Sequence, residues 1–347
     1  MTVKSALFLV QTPLHVINAI EAISQFSIEK STFFIVTSQH NEKWQTMMEL
    51  MLPQDAEKIY CIRNDFDIEE GTRAYAQHID YLISQKFEYV FFADARLYIF
   101  VDIVKSLQNP STYLMDDGTG TILAIHSLME YGTYFDMSVS RSSSRQIEIE
   151  KVKKKYGLLN LKPIKYHLFT VFDYESCELF HVVNNPMTSM CFEHKNTTPD
   201  SVLFIGQPFI KIRHMTEVDY LQCLQQACSY FRDKMVCYLP HPREEESFIT
   251  KLHEREGINV INTTLTAEKY LIELANPPKT VCGFLSTSLW NIAKFQKGVD
   301  VISFEIPDEL FNSMMSKNRS RSSKVTDLAF IKLIYECYKT RIPTYQL

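Results

Sequence analysis

Short apolar segments alternate with segments of helical periodicity along the chain, and this alternation constrains the fold more than any other feature. In the first half the apolar runs are ALFLV, TFFIV, KIYCI, YVFFA and TYLM, separated by amphipathic segments such as HVINAIEAISQF. Short, continuously apolar runs are typical of parallel strands, because helices cover both faces of such a sheet. The pattern therefore predicts βαβ units and places the chain in the α/β class.

A second alternating series begins after residues 196–200 (NTTPD). Its runs are SVLFIG, MVCYLP, INVIN, KTVCGF and DVISFEI. A chain of 347 residues is also longer than one typical domain. We therefore predict two Rossmann-like domains, over residues 1–195 and 196–347, with a cleft between them. The last amphipathic segment, DLAFIKLIYECYK, could pack back on the first domain.

Composition restricts partners and compartment. A net charge of −5 and a pI near 6.1 provide no overall basic field for a nucleic acid. The first apolar run is too short for a signal sequence or a membrane span. The eight cysteines include no Cys-x-x-Cys pair, which favours buried free thiols. We expect a cytoplasmic protein with no nucleic-acid partner. Peripheral contact with the inner face of the membrane stays open.

Two adjacent aspartates directly follow the run TYLM. They are Asp116 and Asp117, and Gly118 comes next; Thr12 and Asp94 follow two earlier runs. Open α/β sheets bind ligands at the carboxyl ends of their strands, which is where these residues fall. A turn that caps the next helix is one interpretation. A metal site would need a second acidic cluster, and two negative charges disfavour phosphate. The remaining chemical role is that of a base.

The sharpest feature of the second half is YLPHPREE, in which His241 lies between Pro240 and Pro242 after an apolar run. Because proline restricts φ, the flanking prolines stiffen the backbone of the histidine. A rigid histidine at a strand end can donate to an anion or act as a general acid. A purely structural histidine is the alternative.

Two further segments of the second half carry candidates. Ser286, Thr287 and Ser288 stand where a helix begins after KTVCGF, and free N–H groups and hydroxyls at such a position bind anions. Glu268 falls in the first turn of another predicted helix, where a carboxylate can accept from ribose hydroxyls. Both features also fit ordinary helix capping.

Taken in order, these motifs resemble a known group of enzymes. DDG at 116–118, HP at 241–242 and STS at 286–288 are similar to the Asp/Glu-Asp/Glu-Gly, His-Pro and serine motifs of bacterial sialyltransferases. The order and spacing most resemble glycosyltransferase family 52, the lipooligosaccharide and capsule sialyltransferases, over roughly residues 5 to 305. The resemblance implies a GT-B fold, CMP-sialic acid as donor, inversion at the anomeric carbon, and no metal or other cofactor. It also implies a galactose-terminated acceptor on a surface glycan, and some relatives are homodimers.

The resemblance further implies roles for individual residues. The N-terminal domain would hold the acceptor and the C-terminal domain the CMP-sugar. His241, in protonated form, would contact the CMP phosphate and assist its departure as a catalytic residue. Ser286 and Thr287 would bind the same phosphate, and Glu268 the ribose. The full set of predicted substrate-binding residues is Thr12, Asp116, Gly118, Gln207, Pro242, Glu268, Ser286, Thr287 and Ser288.

Two carboxylates compete for the role of catalytic base. Position at a strand end favours Asp117. In family 52 the base is an aspartate shortly before the His-Pro strand, and Asp219 in TEVDYLQ matches that place. Thr216 and Asp219 also have the spacing of a capping box, although that box normally uses Glu or Gln. Both candidates stay open, with Asp219 ahead; Asp117 would then position the acceptor or His241.

Three other functions remain alternatives. Another GT-B transferase could use a UDP- or GDP-sugar, but a diphosphate usually needs more basic residues than Arg243, which stands near His241. A non-catalytic module could bind a nucleotide or a glycan without releasing CMP from CMP-sialic acid. A metal phosphohydrolase could use Asp116 and Asp117. The polar segment 138–157 is either a solvated helix face or connection, or a flap near an anionic ligand.

Overall fold

The computed structural model describes residues 3–37, 42–64, 67–107, 110–131, 143–159, 161, 165–212, 214–256, 258–310 and 327–347. They form two compact units, one ending at Met187 and the other beginning at Thr188. Each unit is built around one parallel sheet. None of the helices in these ranges is long and apolar enough to cross a bilayer.

Unit 1 contains a sheet of seven parallel strands in the order β3-β2-β1-β4-β5-β6-β7. The strands are β1 (Ser5–Val10), β2 (Lys30–Thr37), β3 (Glu57–Ile62), β4 (Tyr89–Ala93), β5 (Ser111–Met115), β6 (His167–Thr170) and β7 (Val182–Asn184). The helices are α1 (Pro13–Phe26), α2 (Glu42–Met51), α3 (Ile68–Ala76), α4 (Ile79–Ser84), α5 (Tyr98–Ser106), α6 (Gly120–Tyr131) and α7 (Ser143–Lys155). The five predicted apolar runs form β1 to β5.

The central strand β1 explains why the runs are continuously apolar. Its residues alternate between two separate cores, with Leu7 and Leu9 in one and Phe8 in the other. The ring of Phe8 stacks on Phe33 of β2 and Phe91 of β4, with centroids 5.1 and 5.0 Å away. Because both faces are buried, the five residues from Ala6 to Val10 are all apolar, and only the partly exposed Ser5 at the start of the strand is polar.

Unit 2 repeats the same topology with six parallel strands in the order β11-β10-β9-β12-β14-β15. Its strands are β8 (Phe192–Glu193), β9 (Thr198–Ile205), β10 (Met235–Leu239), β11 (Asn259–Val260), β12 (Pro278–Gly283), β13 (Gln296–Lys297), β14 (Asp300–Glu305) and β15 (Thr344–Gln346). Its helices are α8 (Glu217–Ser229), α9 (Glu246–Glu256), α10 (Ala267–Glu273), α11 (Thr287–Phe295) and α12 (Asp327–Lys339). The α/β class and the two Rossmann-like parallel sheets are as predicted.

The division between the units falls at Met187 and Thr188, not between residues 195 and 196. Residues Thr188–Met190 form a short 3-10 turn that packs against α10 and α11. The following strand β8 pairs with β13. These contacts draw the connecting residues into unit 2, which a search for apolar runs could not reveal.

The last helix, α12, packs within unit 2. The hydroxyl of Tyr335 donates to the carbonyl of Phe304 at 3.0 Å and accepts from the N–H of Ile306 at 3.1 Å. The ring of Tyr338 lies 6.2 Å from that of Trp290 in α11. These contacts hold α12 against unit 2, and the chain then continues into β15 at the edge of the sheet. Packing of this helix on the first domain stays a prediction.

Most of the polar segment 138–157 forms helix α7, which carries Lys151, Lys153, Lys154 and Lys155. Residues 138–142 lie outside the described residues. Lys153 donates to the buried carboxylate of Asp102 at 2.8 Å, and the hydroxyl of Tyr75 donates to the same carboxylate at 2.8 Å. Burial raises the pKa of Asp102, and Lys153 opposes that shift. Lys155 pairs with Glu69 of α3. Two of the four lysines therefore attach α7 to unit 1, as expected for a structural helix face.

Candidate active site

Both sheets reverse their strand order beside the first strand, between β1 and β4 in unit 1 and between β9 and β12 in unit 2. In doubly wound sheets, ligands bind outside the carboxyl ends of the strands at such points. The predicted residues follow these strands or their direct neighbours: Thr12 after β1, Asp116–Gly118 after β5, Gln207 after β9, His241 after β10 and Ser286–Ser288 after β12.

Asp116 is the buried member of the aspartate pair, with an exposed fraction of 1%. Its Oδ1 accepts from the hydroxyl of Thr170 at 2.6 Å, and its Oδ2 accepts from the N–H of Val171 at 2.7 Å. Its carbonyl accepts from the side-chain amide of Asn18 at 2.9 Å. The carboxylate therefore ties the end of β5 to the end of β6. A role in substrate binding stays a prediction beside this structural one.

Asp117 is partly exposed and interacts with a buried histidine. The Nε2–H of His15 donates to Oδ1 of Asp117 at 2.8 Å. The Nδ1 of His15 accepts the N–H of Gln11 at 3.1 Å, which leaves the proton of the neutral ring on Nε2. Thr12 caps α1 by accepting from the N–H of His15, and Pro13 follows at the start of the helix. The N-cap Thr12 and Pro13 fix the start of α1, and this start places His15 next to Asp117.

Arg96, after β4, contributes a cation at this edge of unit 1. Its Nε and its backbone N–H donate to Oδ1 of Asp94 at 2.6 and 2.9 Å, and its guanidinium pairs with Asp117. Burial lowers the pKa of Arg96, but the two carboxylates outweigh burial and raise it above its ordinary value. Asp94 has a φ of 67°, which is uncommon for a residue other than glycine. We call His15, Asp94, Arg96 and Asp117 the acidic cluster.

The glycines after the aspartates are needed for the close approach of these groups. Gly118 has a left-handed φ of 60°. At Gly120 a Cβ atom would lie 2.7 Å from Nη2 of Arg96 and 3.0 Å from Oδ2 of Asp117. The DDGTG stretch is thus a turn that brings Asp117 and Arg96 together, and the substrate-binding role of Gly118 stays a prediction.

The surroundings of the two aspartates bear on the metal phosphohydrolase alternative. Hydroxyl, amide, imidazole and guanidinium groups already donate to their carboxylate oxygens. A divalent cation needs those oxygens as ligands, and the neighbouring guanidinium would repel it. The donor set around Asp116 and Asp117 therefore disfavours a metal site built on this pair.

In unit 2, residues Pro240–Glu244 form what we call the histidine turn. The Nδ1 of His241 accepts the N–H of Arg243 at 3.0 Å, so the neutral ring carries its proton on Nε2. Burial, and then Arg243, lower the pKa of His241 to about 3. In the free protein this histidine is therefore a neutral donor, and its role as a protonated acid towards a bound phosphate stays a prediction. Pro242 lies exposed beside it.

A chain of hydrogen bonds lies behind the histidine turn. The N–H of Gln207 donates to the hydroxyl of Tyr220 at 3.0 Å, and the hydroxyls of Tyr220 and Tyr238 lie 2.9 Å apart. The hydroxyl of Tyr238 donates to Glu244 at 2.6 Å, and the N–H of His241 donates to the same carboxylate at 2.6 Å. We call this the tyrosine chain. It uses the backbone of Gln207, whose predicted contact with substrate stays a prediction.

The titrations of Glu244 and His241 predict an unusual dependence of stability on pH. Burial raises the pKa of Glu244 from 4.5 to about 7, so its contribution to folding is full below pH 4.5 and is lost as the pH rises through 7. Because the pKa of His241 is lowered from 6.5, its contribution is full above pH 6.5 and is lost as the pH falls towards 3. The two contributions oppose each other between about pH 4.5 and 6.5.

We therefore expect a Glu244→Gln variant to lose stability more steeply than the wild type on acidification from pH 6.5 to 4.5. The extra slope should approach about 1.4 kcal/mol per pH unit, the limit for one titrating group. Urea unfolding at several pH values measures it. Parallel profiles for the two proteins would show that Glu244 does not titrate in this range.

The serine cluster begins helix α11. Ser286 is its N-cap, and its hydroxyl accepts from the N–H of Ser288 at 3.3 Å. Helices α8, α9 and α10 carry an acidic residue in the first turn, whereas α11, all of which is described, has none. A helix end with free N–H groups and no acid favours an anion. Thr287 and Ser288 are partly exposed there.

Glu268 lies in the first turn of α10 with an exposed fraction of 6%. Its Oε1 accepts from the side-chain amide of Asn291 in α11 at 2.9 Å, and its carbonyl accepts from Gln296 at 2.9 Å. The side chain thus connects α10 to α11, near the serine cluster in sequence. Its contact with a ribose stays a prediction.

Asp219 lies in the first turn of α8, and the capping interpretation applies to it. The N–H of Asp219 donates to the hydroxyl of Thr216 at 3.1 Å, and this hydroxyl donates to Oδ2 of Asp219 at 2.6 Å. The next residue, Tyr220, belongs to the tyrosine chain. Asp219 therefore caps its helix beside the elements that carry His241, and its role as the base stays a prediction.

Comparison with known proteins identifies the family. Residues 6–305 match the family model of alpha-2,8-polysialyltransferase (POLYST). The chain belongs to this family. The match confirms the resemblance to sialyltransferases and supports a glycosyltransferase, whereas the narrower resemblance to glycosyltransferase family 52 stays a prediction. No curated protein sequence matches the chain.

Solved structures show the fold of this family member. A Listeria monocytogenes structure, assigned as a UDP-N-acetylglucosamine 2-epimerase, is similar with a TM-score of 0.52 and 12% identity over 98% of this chain and 88% of that chain. The S. aureus MnaA–UDP co-structure has a TM-score of 0.51 and 11% identity over 97% and 87%. At such identities the likeness shows the fold alone, and it confirms the GT-B class.

Three residues of these sites were missed in the sequence of this polysialyltransferase family member. His15 and Arg96 surround Asp117, and Glu244 holds the histidine turn. The sequence could have indicated Arg96 and Glu244, because each lies within four residues of the end of a predicted strand. His15 lies inside an amphipathic helix, and only its buried contact with Asp117 reveals it.

Proposed function

We propose that the chain is an inverting sialyltransferase that moves sialic acid from CMP-sialic acid to the end of a surface glycan, as in lipooligosaccharide or capsule. The family match over residues 6–305 carries the proposal, since that range includes the acidic cluster, the histidine turn and the serine cluster. A sialyltransferase needs a site for one phosphate and a base for the acceptor hydroxyl, and these features supply candidates for both.

The donor phosphate is proposed to lie in unit 2. The Nε2–H of His241 and the N-terminus of α11 are neutral donors at the carboxyl edge of the sheet. A bound phosphate would favour the imidazolium form, which opposes the lowered pKa of His241 and makes proton donation to the leaving CMP easier. Glu268 at the start of α10 is the candidate for the ribose.

The acceptor hydroxyl is proposed to lose its proton to a carboxylate, either Asp219 or Asp117. The predicted acceptor is a terminal galactoside. The family description names an alpha-2,8 polysialyl product, which favours a glycan that already ends in sialic acid. No metal is required in this scheme, because neutral donors can stabilise a single phosphate as it leaves.

The decisive experiment is incubation with CMP-sialic acid and a panel of acceptors, with and without EDTA. The panel contains galactosides and oligosaccharides that end in sialic acid. We expect release of CMP and a sialylated product, unaffected by EDTA. Binding of CMP without any transfer would indicate the alternative of a non-catalytic module, and transfer from a UDP- or GDP-sugar would indicate another GT-B activity.

Binding of CMP should raise the melting temperature of the protein. A ligand that binds only the folded state at 100 times its Kd stabilises it by about 2.7 kcal/mol. UMP and GMP should have smaller effects, and a Ser286→Ala variant should respond less to CMP than the wild type. Thermal denaturation with each nucleotide measures this. Equal shifts with the three nucleotides would argue against a cytidine site.

A further inference from the structure

Glu244 forms hydrogen bonds with both backbone groups of His241 within the histidine turn. Its Oε2 accepts the N–H of His241 at 2.6 Å, and its own N–H donates to the carbonyl of His241 at 2.9 Å. Both backbone groups of the histidine are therefore bonded to one residue. Together with the prolines on either side, this restricts the direction in which the imidazole leaves the chain.

The carboxylate of Glu244 is itself firmly held. Its Oε1 accepts from Tyr238, and the tyrosine chain continues through Tyr220 to the N–H of Gln207 on the loop after β9. At Gly206 there is no room for a side chain, because a Cβ atom would overlap the hydroxyl of Tyr238 and the carboxylate of Glu244. The histidine turn is thus connected to two other elements of unit 2.

This arrangement carries an energetic cost. Within the described part of the chain, the carboxylate of Glu244 accepts from Tyr238 and His241, and neither donor is a cation. The titratable groups that face it are Tyr238 from β10, Tyr220 from α8 and His241 from the turn. Burial raises the pKa of both tyrosines well above their ordinary value, so they remain neutral donors. A partly buried carboxylate without a paired cation costs free energy, and its hydrogen bonds to Tyr238 and His241 offset part of that cost.

We propose that Glu244 is a positioning residue that orients His241, so that its Nε2–H points at the leaving phosphate of the donor. The proposal rests on the proposed function, because it assigns the phosphate to His241. Glu244 does not touch the substrate and acts through the backbone of His241.

The first test follows the titration of His241 by NMR of the free protein, with the signal assigned from a His241→Ala variant. In Glu244→Ala the imidazole should become more exposed to water, and its midpoint should rise from about 3 towards its ordinary value. Glu244→Gln keeps the shape and one acceptor, so it should stay closer to the wild type. The matched control is Glu245→Gln, whose carboxylate is exposed and pairs with Lys211.

The second test separates positioning from folding. In Glu244→Ala, kcat/KM for CMP-sialic acid should fall about 10-fold or more per folded molecule, the scale of a displaced catalytic group. KM for the acceptor should not change. If Glu244→Ala does not fold, Glu244→Gln and Tyr238→Phe, which removes the donor to Oε1, should move both readouts in the same direction by less.

Two results would overturn the proposal. One is a His241 titration in Glu244→Ala, or in both milder variants, that matches the wild type. The other is a lowered melting temperature with unchanged kinetics for the donor, which indicates a merely structural role. If the wild type shows no sialyl transfer at all, the proposed function fails instead, and the NMR titration still decides whether Glu244 orients His241.

Discussion

Replacing His241 by alanine is expected to lower turnover by about 10²-fold or more, the usual scale for losing a positioned acid. The structure gives the physical reason. The Nδ1 of His241 is occupied by the N–H of Arg243, so Nε2–H is the ring group available to a phosphate. The fold should persist, because the residue follows the end of β10 and its backbone, not its ring, is held by Glu244. Steady-state kinetics with CMP-sialic acid measure the effect.

His253→Ala is a suitable control for this substitution. His253 is an exposed residue of α9, and its loss should leave turnover unchanged. The melting temperatures of both variants should stay close to that of the wild type. A His241→Ala protein that turns over at nearly the wild-type rate would remove this histidine from the chemistry.

The second large effect concerns the base, and we expect Asp219→Asn to lower turnover by about 10²- to 10⁴-fold. CMP should still bind, because the base acts on the acceptor hydroxyl and not on the nucleotide. The residual rate should also lose the acidic limb of its pH profile, since that limb reports the titration of the base. Asp117→Asn should cause the smaller loss, because His15 and Arg96 already occupy its carboxylate.

Because Asp219 also caps α8, a control must separate capping from catalysis. Thr216→Val removes the capping hydroxyl and retains the carboxylate of Asp219. It should lower the melting temperature, at a cost of about 1 kcal/mol for a lost cap, with little effect on turnover. If Asp219→Asn only lowers the melting temperature and Asp117→Asn causes the larger loss of turnover, the base is Asp117 of the acidic cluster.

Prediction from the sequence succeeded where a local pattern reports burial on both faces of a sheet. The apolar runs placed β1 to β5 of unit 1 and β9 to β12 and β14 of unit 2. It failed for β6, β7 and β15, which have three or four residues each and join the edges of the sheets. Their places in the sheets come from pairing with β5, β6 and β14, and such pairing is a tertiary contact that a local pattern does not report.

The aspartate pair shows that the sequence could not assign separate roles to two adjacent side chains. The sequence places Asp116 and Asp117 together after a strand, and nothing in their composition separates them. In the structure one carboxylate binds the end of β6 and the other meets His15 and Arg96. Adjacent residues at a strand end point in different directions, so their partners come from distant parts of the chain.

The sequence by itself therefore determined the α/β class, the two Rossmann-like units and the motifs that place the chain among the sialyltransferases, because hydrophobic periodicity and short motifs are local properties. Only the tertiary structure decided that Asp116 is a buried connector, that His241 is neutral in the free protein and that Glu244 holds its backbone. Burial and hydrogen bonding set the charge and direction of a side chain, and both depend on residues far apart in sequence.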